Sequence, residues 1–386
     1  MEAREGGGAG GPAGGALRLG ASSVKVAAAV EAWFAEAARP LPWRTSPRDP
    51  YLALVSEAML QQTQVSRVVG RFAEFLVEFP TIEALAAADE SRVLALWSGL
   101  GYYRRARSLH AAAKAVCAGE MRETDKGDTD GRTAPAFPRR ADELGKLPGV
   151  GPYTAGSIAS IVFGERSPLV DGNVARVLLR VHGREGHLAD KATATWLWER
   201  ADELVQAATS PALLNEGLME LGAMVCSPAS PKCASCPLAK ACRARAEGRQ
   251  REIPAPRPRA KQRDLYCGVV LAHDPRRGVL VEQRVGEPGG KGVAGRMWAG
   301  MWQAPTLERA DRAPTRDEVG IWINLDIEPD AERFEHGTTH RRVFFEVWRA
   351  RVGAGGIKPA RGRWMSRAKV AELALSNPQR RILCEL

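Results

Sequence analysis

The sequence predicts a multidomain chain in which a long helical region is followed by an α+β domain. Three observations lead there. Apolar residues recur at helical spacing through 24–245 with little strand signal. Alternating prolines in Ile253-Pro-Ala-Pro-Arg-Pro-Arg then force extended backbone. Beyond them come short β-rich runs bounded by turn residues, Tyr266-Cys-Gly-Val-Val-Leu-Ala, Val279-Leu-Val-Glu-Gln-Arg and Val343-Phe-Phe-Glu-Val-Trp-Arg-Ala.

In the helical region, Leu52, Val55 and Met59 form one apolar stripe, and Val65, Val68, Val69, Phe72, Phe75 and Leu76 form the next. Thr81 and Ser91 each precede such a run and suit an N-cap. Gly99 and Gly101 interrupt the pattern after Trp97, and the polar stretch 122–138 reads as a surface loop or insertion. The stretch 243–263 holds eight basic residues against Glu247 and Glu252, and reads as a linker able to lie along phosphates. No internal repeat is visible.

At 386 residues the length suits two or three domains, each able to bury a core. The chain carries 55 Lys+Arg against 45 Asp+Glu, a net charge of +10. That balance favours a polyanionic partner, nucleic acid first, without fixing a fold. No apolar run approaches the roughly 18 residues of a membrane span, so no membrane role is expected. The Gly/Ala-rich start, 1–21, lacks the apolar segment of a secretory signal and reads as a flexible tail. Seven cysteines, four of them between Cys226 and Cys242, speak for an intracellular metal or cluster site rather than a disulfide framework.

That quartet, Cys226-x6-Cys233-x2-Cys236-x5-Cys242, is the sharpest signal. Four thiolates on a short loop can hold a [4Fe–4S] cluster or a tetrahedral zinc, and the ligand types alone do not separate the two. The spacing resembles that of the endonuclease III and adenine DNA glycosylase (MutY) superfamily, where it binds a [4Fe–4S] cluster. Leu147-Pro-Gly-Val-Gly-Pro-Tyr-Thr-Ala resembles the helix-hairpin-helix of the same superfamily. Gly149 and Gly151 there let backbone N–H groups face an anion at a helix start, a mode that grips DNA without reading its sequence. Leu147 belongs to this contact set. Bifunctional members place a nucleophilic Lys where this chain has Tyr153. Without that amine no Schiff base forms at this position, and the expected enzyme cuts the glycosidic bond without efficiently nicking the strand.

Leu169-Val-Asp-Gly-Asn-Val places Asp171 ahead of a helical run (174–181), where an Asp also suits an N-cap. The superfamily sets its catalytic Asp in this motif, and Asn173 is placed to orient it. Ser56-Glu57-Ala-Met-Leu-Gln-Gln-Thr-Gln-Val puts Glu57 at the edge of an apolar helix face, where a carboxyl should hold its proton toward neutrality. With Leu-Pro-Trp-Arg (41–44) and Asp-Pro-Tyr (49–51), this run resembles the signature of adenine DNA glycosylases, in which the Glu protonates adenine at N7. The resemblance further implies that Gln62 and Tyr102, the latter in Gly99-Leu-Gly-Tyr-Tyr-Arg-Arg-Ala-Arg, wedge into the duplex, and that Trp43 and Arg44 line the base pocket.

In the C-terminal part, Gly300-Met-Trp-Gln-Ala-Pro resembles a segment of the family's MutT/Nudix-like domain. The Glu-rich Mg²⁺ box of hydrolysing Nudix proteins is not found in 264–386, so this domain is expected to recognise rather than hydrolyse. His336-Gly-Thr-Thr-His-Arg-Arg-Val aligns with the loop that reads 8-oxoguanine, typically Phe-Ser-His. Thr338 stands for the Phe and Thr339 for the Ser, and His340 is kept. A hydroxyl at Thr339 can accept from the N7–H that oxidation at C8 creates.

The resemblance implies a helix-hairpin-helix glycosylase fold, a six-helix barrel plus an iron–sulfur helical domain, with a C-terminal Nudix-like α+β domain. The expected organisation is a tail (1–22), a cluster domain (23–48 with 156–245), a barrel carrying the hairpin (49–155), a basic Pro-rich linker (246–263) and the Nudix-like domain (264–386). The implied activity is monofunctional excision of adenine opposite 8-oxoguanine, or guanine, in double-stranded DNA during base-excision repair. The expected enzyme is monomeric and intracellular, in a bacterial-like cytoplasm or nucleoid. Rival readings are an endonuclease III-like glycosylase/lyase for oxidised pyrimidines, disfavoured by Tyr153, and a non-catalytic DNA-binding protein that uses the cluster structurally. A Nudix nucleotide hydrolase is more distant.

Overall fold

The structure is a computed structural model that describes residues 21–119, 137–255, 262–284, 297–352 and 359–386. Most of the expected tail and surface loop, and the prolines of 256–258, lie outside those residues. The chain divides into two compact units, Met1–Arg39 with Pro152–Pro256, and Pro40–Gly151 with Arg257–Leu386. Among the described residues no helix is long and apolar enough to cross a membrane.

The first unit is helical: Ala21–Ala37, Pro152–Phe163, Gly172–His182, Lys191–Ala207 and Pro211–Met224, followed by the cysteine loop. Val30, Leu169, Val174, Leu178, Leu197, Leu214, Leu218 and Leu221 form its core, which extends under the loop through Leu238 and Ala244. Helices approach closely where side chains vanish. A Cβ on Gly222 would lie 2.5 Å from Asn173 Cβ, so only glycine lets helix Pro211–Met224 meet the start of helix Gly172–His182. Ile253, which the sequence reads as part of a linker, is 1% exposed and belongs to this core. One apolar side chain outweighs the extended, charged character around it.

The second unit opens with helices Pro50–Leu60, Val65–Glu78, Ile82–Ala87, Glu90–Leu96, Arg104–Ala118 and Ala141–Leu144. Helix Pro50–Leu60 starts at Asp49, whose carboxylate accepts from Tyr51 N–H at 2.7 Å and Leu52 N–H at 3.1 Å, with Pro50 in the first turn. Val68, Phe72 and Phe75 form the buried stripe of the next helix. Thr81 caps helix Ile82–Ala87 as expected, its hydroxyl accepting from Ala84 N–H at 3.2 Å. Ser91 does not cap. Its helix begins at Glu90 behind Asp89, whose side chain makes no cap hydrogen bond, and Glu90 places a negative charge in the first turn.

The same unit ends in a seven-stranded mixed sheet of β1 (Arg263–Asp274), β2 (Gly278–Gln283), β3 (Trp302–Gln303), β4 (Thr306–Arg309), β5 (Asp326–Gly337), β6 (Arg341–Arg351) and β7 (Arg363–Met365). The main order is β3-β2-β1-β6-β5, with β4 pairing β1 and β7 pairing β2; β1 and β6 run parallel. Helix Arg316–Ile323 packs on one face around Val270, Leu280, Val319 and Trp348. Leu265, Cys267, Val343, Phe345 and Leu375 fill the other. Two of the bonds that join the sheet domain to the helices of its unit meet at one backbone carbonyl. Leu375 O accepts from Ser98 Oγ at 3.2 Å and from Tyr103 Oη at 3.1 Å.

Candidate active site and cysteine loop

Asp171 caps helix Gly172–His182. One carboxylate oxygen accepts from Val174 N–H at 2.7 Å and the other from Asn173 Nδ2 at 2.9 Å. Burial holds the Asp171 carboxyl above the ordinary carboxylate value, and the bonds from Val174 and Asn173 counter only part of that shift. Asn173 thus holds one oxygen of the Asp171 carboxylate. Its own oxygen accepts from Arg176 Nη2 at 2.8 Å, and Arg176 Nε donates to Cys226 O at 2.7 Å. Asp171 is thus tied through two side chains to the backbone of a loop cysteine.

The four cysteines of the loop are free and half-buried. Burial pushes the Cys236 thiol up to about 11, and Cys226, Cys242 and Cys233 add to the rise. Cys242 is raised by burial and again by Cys226 and Cys233. Thiols that raise one another this way lie within electrostatic reach, and a bound cation would reverse the shift. The donor set thus fits an iron–sulfur group in its chemistry. Among the described residues no cluster of three or more His, Cys, Asp or Glu closes on a single metal ion. Arg180, 2% exposed, braces the loop. It donates to the carbonyls of Ser227 at 2.8 Å, Pro228 at 2.9 Å and Ile253 at 2.7 Å, and to Cys226 Sγ at 3.3 Å.

Glu57 lies on helix Pro50–Leu60 at 9% exposure, between the fully buried Val55 and Met59. At the end of that helix Gln62 takes a left-handed φ of 57°, and Tyr102 takes 48°. Non-glycine residues seldom adopt this region, and functional sites are where such strain collects. Both side chains are exposed, Tyr102 by 47%. Trp43 is half-buried with its ring edge-on to Phe72 at 5.3 Å, and Arg44 follows it at the end of the same turn.

Arg105 is the residue that sequence reasoning missed here. Its guanidinium donates to the carbonyls of Ala58 and Met59, both at 2.8 Å, and to those of Leu100 and Gly101 at 3.1 and 3.2 Å. It also reaches Thr63 Oγ1 at 3.0 Å. One side chain therefore ties the turn bearing Gln62 to the turn bearing Tyr102. Burial lowers its pKa to about 10. The signal was present: Arg105 continues the buried stripe of Leu109, Ala112 and Val116, whereas Arg104 is exposed.

In the hairpin, Gly149 takes φ 77° and a Cβ there would strike Ser108 Cβ at 2.3 Å, so the turn requires glycine. Gly151 is exposed with open space where a Cβ would stand, leaving room for a backbone ligand. Leu147 is 2% exposed, and its side chain packs in the core beneath the turn. Tyr153, at the position of the absent lysine, donates from its hydroxyl to Met219 Sδ at 3.0 Å.

Thr338, Thr339 and His340 form the connection between β5 and β6. The Thr338 hydroxyl closes it, accepting from Arg341 N–H at 3.0 Å, a role no phenylalanine could take. Thr339 is exposed, and its Oγ1 meets Tyr102 Oη at 2.6 Å. His340 is exposed beside it.

Residues 55–203 match the model of the HhH-GPD superfamily of base excision DNA repair proteins, and residues 268–385 match that of the NUDIX domain. The class is therefore a helix-hairpin-helix glycosylase fold followed by a Nudix-like sheet domain. An adenine DNA glycosylase of Mycolicibacterium smegmatis is 40% identical over 56% of this chain and 68% of its own length. Those of Arabidopsis thaliana and Homo sapiens are 34% and 40% identical over 75% and 57% of this chain. This chain belongs to the adenine DNA glycosylase family. It spans 49% of the plant relative and 39% of the human one. Among solved structures, a thermostable thymine-DNA glycosylase matches at 28% identity over 58% of this chain and 98% of its own, with a TM-score of 0.49.

Proposed function

We propose that the protein excises adenine from double-stranded DNA where adenine stands opposite 8-oxoguanine, or more weakly guanine. The observation that carries this reading is Asp171: a carboxylate raised by burial yet gripped on both oxygens, at the motif where the family sets its catalytic acid. Adenine leaves poorly as an anion, so Glu57 gives a proton to N7 as the glycosidic bond breaks. The sugar gains oxocarbenium character, and ionised Asp171 stabilises that charge while Asn173 keeps its oxygens in place. By analogy with retaining glycosidases, Asp171 bonds briefly to the anomeric carbon before water releases the sugar. The flipped adenine needs a substitute in the stack, and Gln62 and Tyr102 supply it. Thr339 accepts from N7–H of 8-oxoguanine. Tyr153 offers no amine for a Schiff base, which favours this reading over a lyase.

Cys226, Cys233, Cys236 and Cys242 would hold a [4Fe–4S] cluster. Such a cluster supplies cross-linking of a loop that has little core of its own.

Single-turnover excision on a duplex panel that varies the base opposite adenine tests the reaction. Wild type should act fastest on 8-oxoguanine:adenine, and Glu57→Gln and Asp171→Asn should abolish excision while binding the duplex. Near-normal turnover in either variant refutes the assignment. A covalent adduct on borohydride treatment would favour the lyase instead. Iron and acid-labile sulfide near four each per chain, lowered in Cys236→Ser, would support the cluster.

A further inference from the structure

At the start of β1 and β6 the two faces of the sheet are charged differently. The parallel register sets Arg263 beside Arg341 and Asp264 beside Arg342. On one face Arg342 grips Asp264 with two bonds, 2.9 and 2.8 Å. On the other face, which continues into buried Leu265 and Val343, the two arginines stand side by side. Among the described residues neither has a carboxylate partner. Like charges directly across a strand pair work against the sheet. The opposite face shows the ordinary solution, an acid in the pair.

Both arginines are fastened by their main chains to the turn that carries Thr339. Arg263 N–H donates to His340 O at 3.0 Å, and Thr338 N–H donates to Arg341 O at 2.8 Å. Gln262 Nε2 adds a bond to Thr338 O at 2.6 Å. The backbones of the cationic pair therefore flank the turn that carries Thr339 from both strands. Guanidinium forks without an acid partner suit the paired oxygens of a phosphate.

We propose that Arg263 and Arg341 form a phosphodiester-binding site beside Thr339, gripping the backbone of the strand whose base that turn reads. The site rests on the reading of the 338–340 turn as the lesion reader. It gives the like-charged pair a ligand that offsets its repulsion, and it contributes affinity without sequence information.

The test uses the full chain and anisotropy titrations across salt concentration. Two duplexes serve as probes, one bearing 8-oxoguanine opposite a non-hydrolysable adenine analogue and one undamaged. An Arg263→Gln, Arg341→Gln double variant should flatten the slope of log K against log salt by about 1.8, at about 0.9 per phosphate contact. Its melting temperature should equal or exceed that of wild type. The double lysine variant should keep most of the slope, since lysine still binds phosphate as a point charge. An unchanged slope in the glutamine variant overturns the site, as does a fall in its melting temperature or an equal loss in the lysine variant. Adenine excision by wild type is a separate arm: its failure would sink the proposed reaction and leave the slope comparison readable.

Discussion

Tyr102 and Thr339 touch hydroxyl to hydroxyl at 2.6 Å, although one belongs to a helical turn and the other to a sheet turn 237 residues later. The proposed duplex wedge and the proposed lesion reader are thus already in contact without DNA. The Thr339 hydroxyl can donate to Tyr102 and still accept from a base, since it has one proton and two lone pairs. Thr339→Val should reduce the preference for 8-oxoguanine:adenine over guanine:adenine several-fold, the worth of about 1 kcal/mol for one hydrogen bond. Tyr102→Phe should leave that preference and weaken DNA binding less than Tyr102→Ala. Single-turnover rates on the two mispairs decide; an unchanged ratio in Thr339→Val removes the residue from lesion reading.

Arg105→Lys should uncouple the two strained turns. Lysine cannot reach four carbonyls and a hydroxyl together, and buried carbonyls left without donors cost about 1–3 kcal/mol. Urea denaturation should show that loss. Excision should slow further than the stability loss explains, because Gln62 and Tyr102 would relax from their left-handed conformations. Normal excision at saturating protein would make Arg105 a purely structural residue.

Asp171→Asn should separate activity from stability. Burial raises the Asp171 carboxyl, so the fold favours its protonated form. The stability that this proton contributes is present below the unfolded pKa and disappears as pH rises through the folded one. At neutral pH the buried charge is a cost that Asn removes; Asn still caps Val174 N–H but turns its Nδ2 toward Asn173 Nδ2 and loses that bond. The melting temperature of the variant relative to wild type should therefore fall as pH drops from neutral into acid, while excision falls by about 10²-fold or more. In wild type, excision should decline on acidification at a higher pH than an ordinary Asp would impose. A melting difference between Asp171→Asn and wild type that stays the same from neutral to acid pH would contradict the burial argument.

Gly222→Ala should drive a methyl group into Asn173, with a cost of about 1–3 kcal/mol. The displaced Asn173 lets go of Asp171 on one side and of Arg176 on the other. The expected result is slower excision at full DNA occupancy, together with a lower melting temperature. Wild-type kinetics in this variant would show that Asn173 has slack to move.

What the residues made legible follows from how locally each feature is encoded. Asp171 as an N-cap and the apolar stripes around Phe72 could be read because caps and helical faces are set within a few residues. The cysteine loop was readable for the same reason. β5 was not read as a strand. It carries Pro329, Asp326, Asp330 and Glu332, and its pairing with β6 slips between Ile327 and Ala331. As the edge of the sheet it tolerates a proline and charges that a central strand would refuse. Arg105 escaped because arginines in a basic chain read as surface, and its partners are carbonyls, which leave no mark in a sequence. The burial of Leu147 was not legible either, because the motif marks a DNA contact while this side chain faces inward.

The joint at Leu375 O has an evolutionary implication. Its acceptor is main chain, so replacing the residue that carries it cannot delete the acceptor, and both hydroxyl donors come from Ser98 and Tyr103. At this carbonyl both donors are supplied by the helices, while from the sheet side Arg380 Nε donates to Ser98 Oγ at 3.3 Å. Any side chain can therefore stand at position 375 without loss of these two bonds, so long as the loop follows the same path.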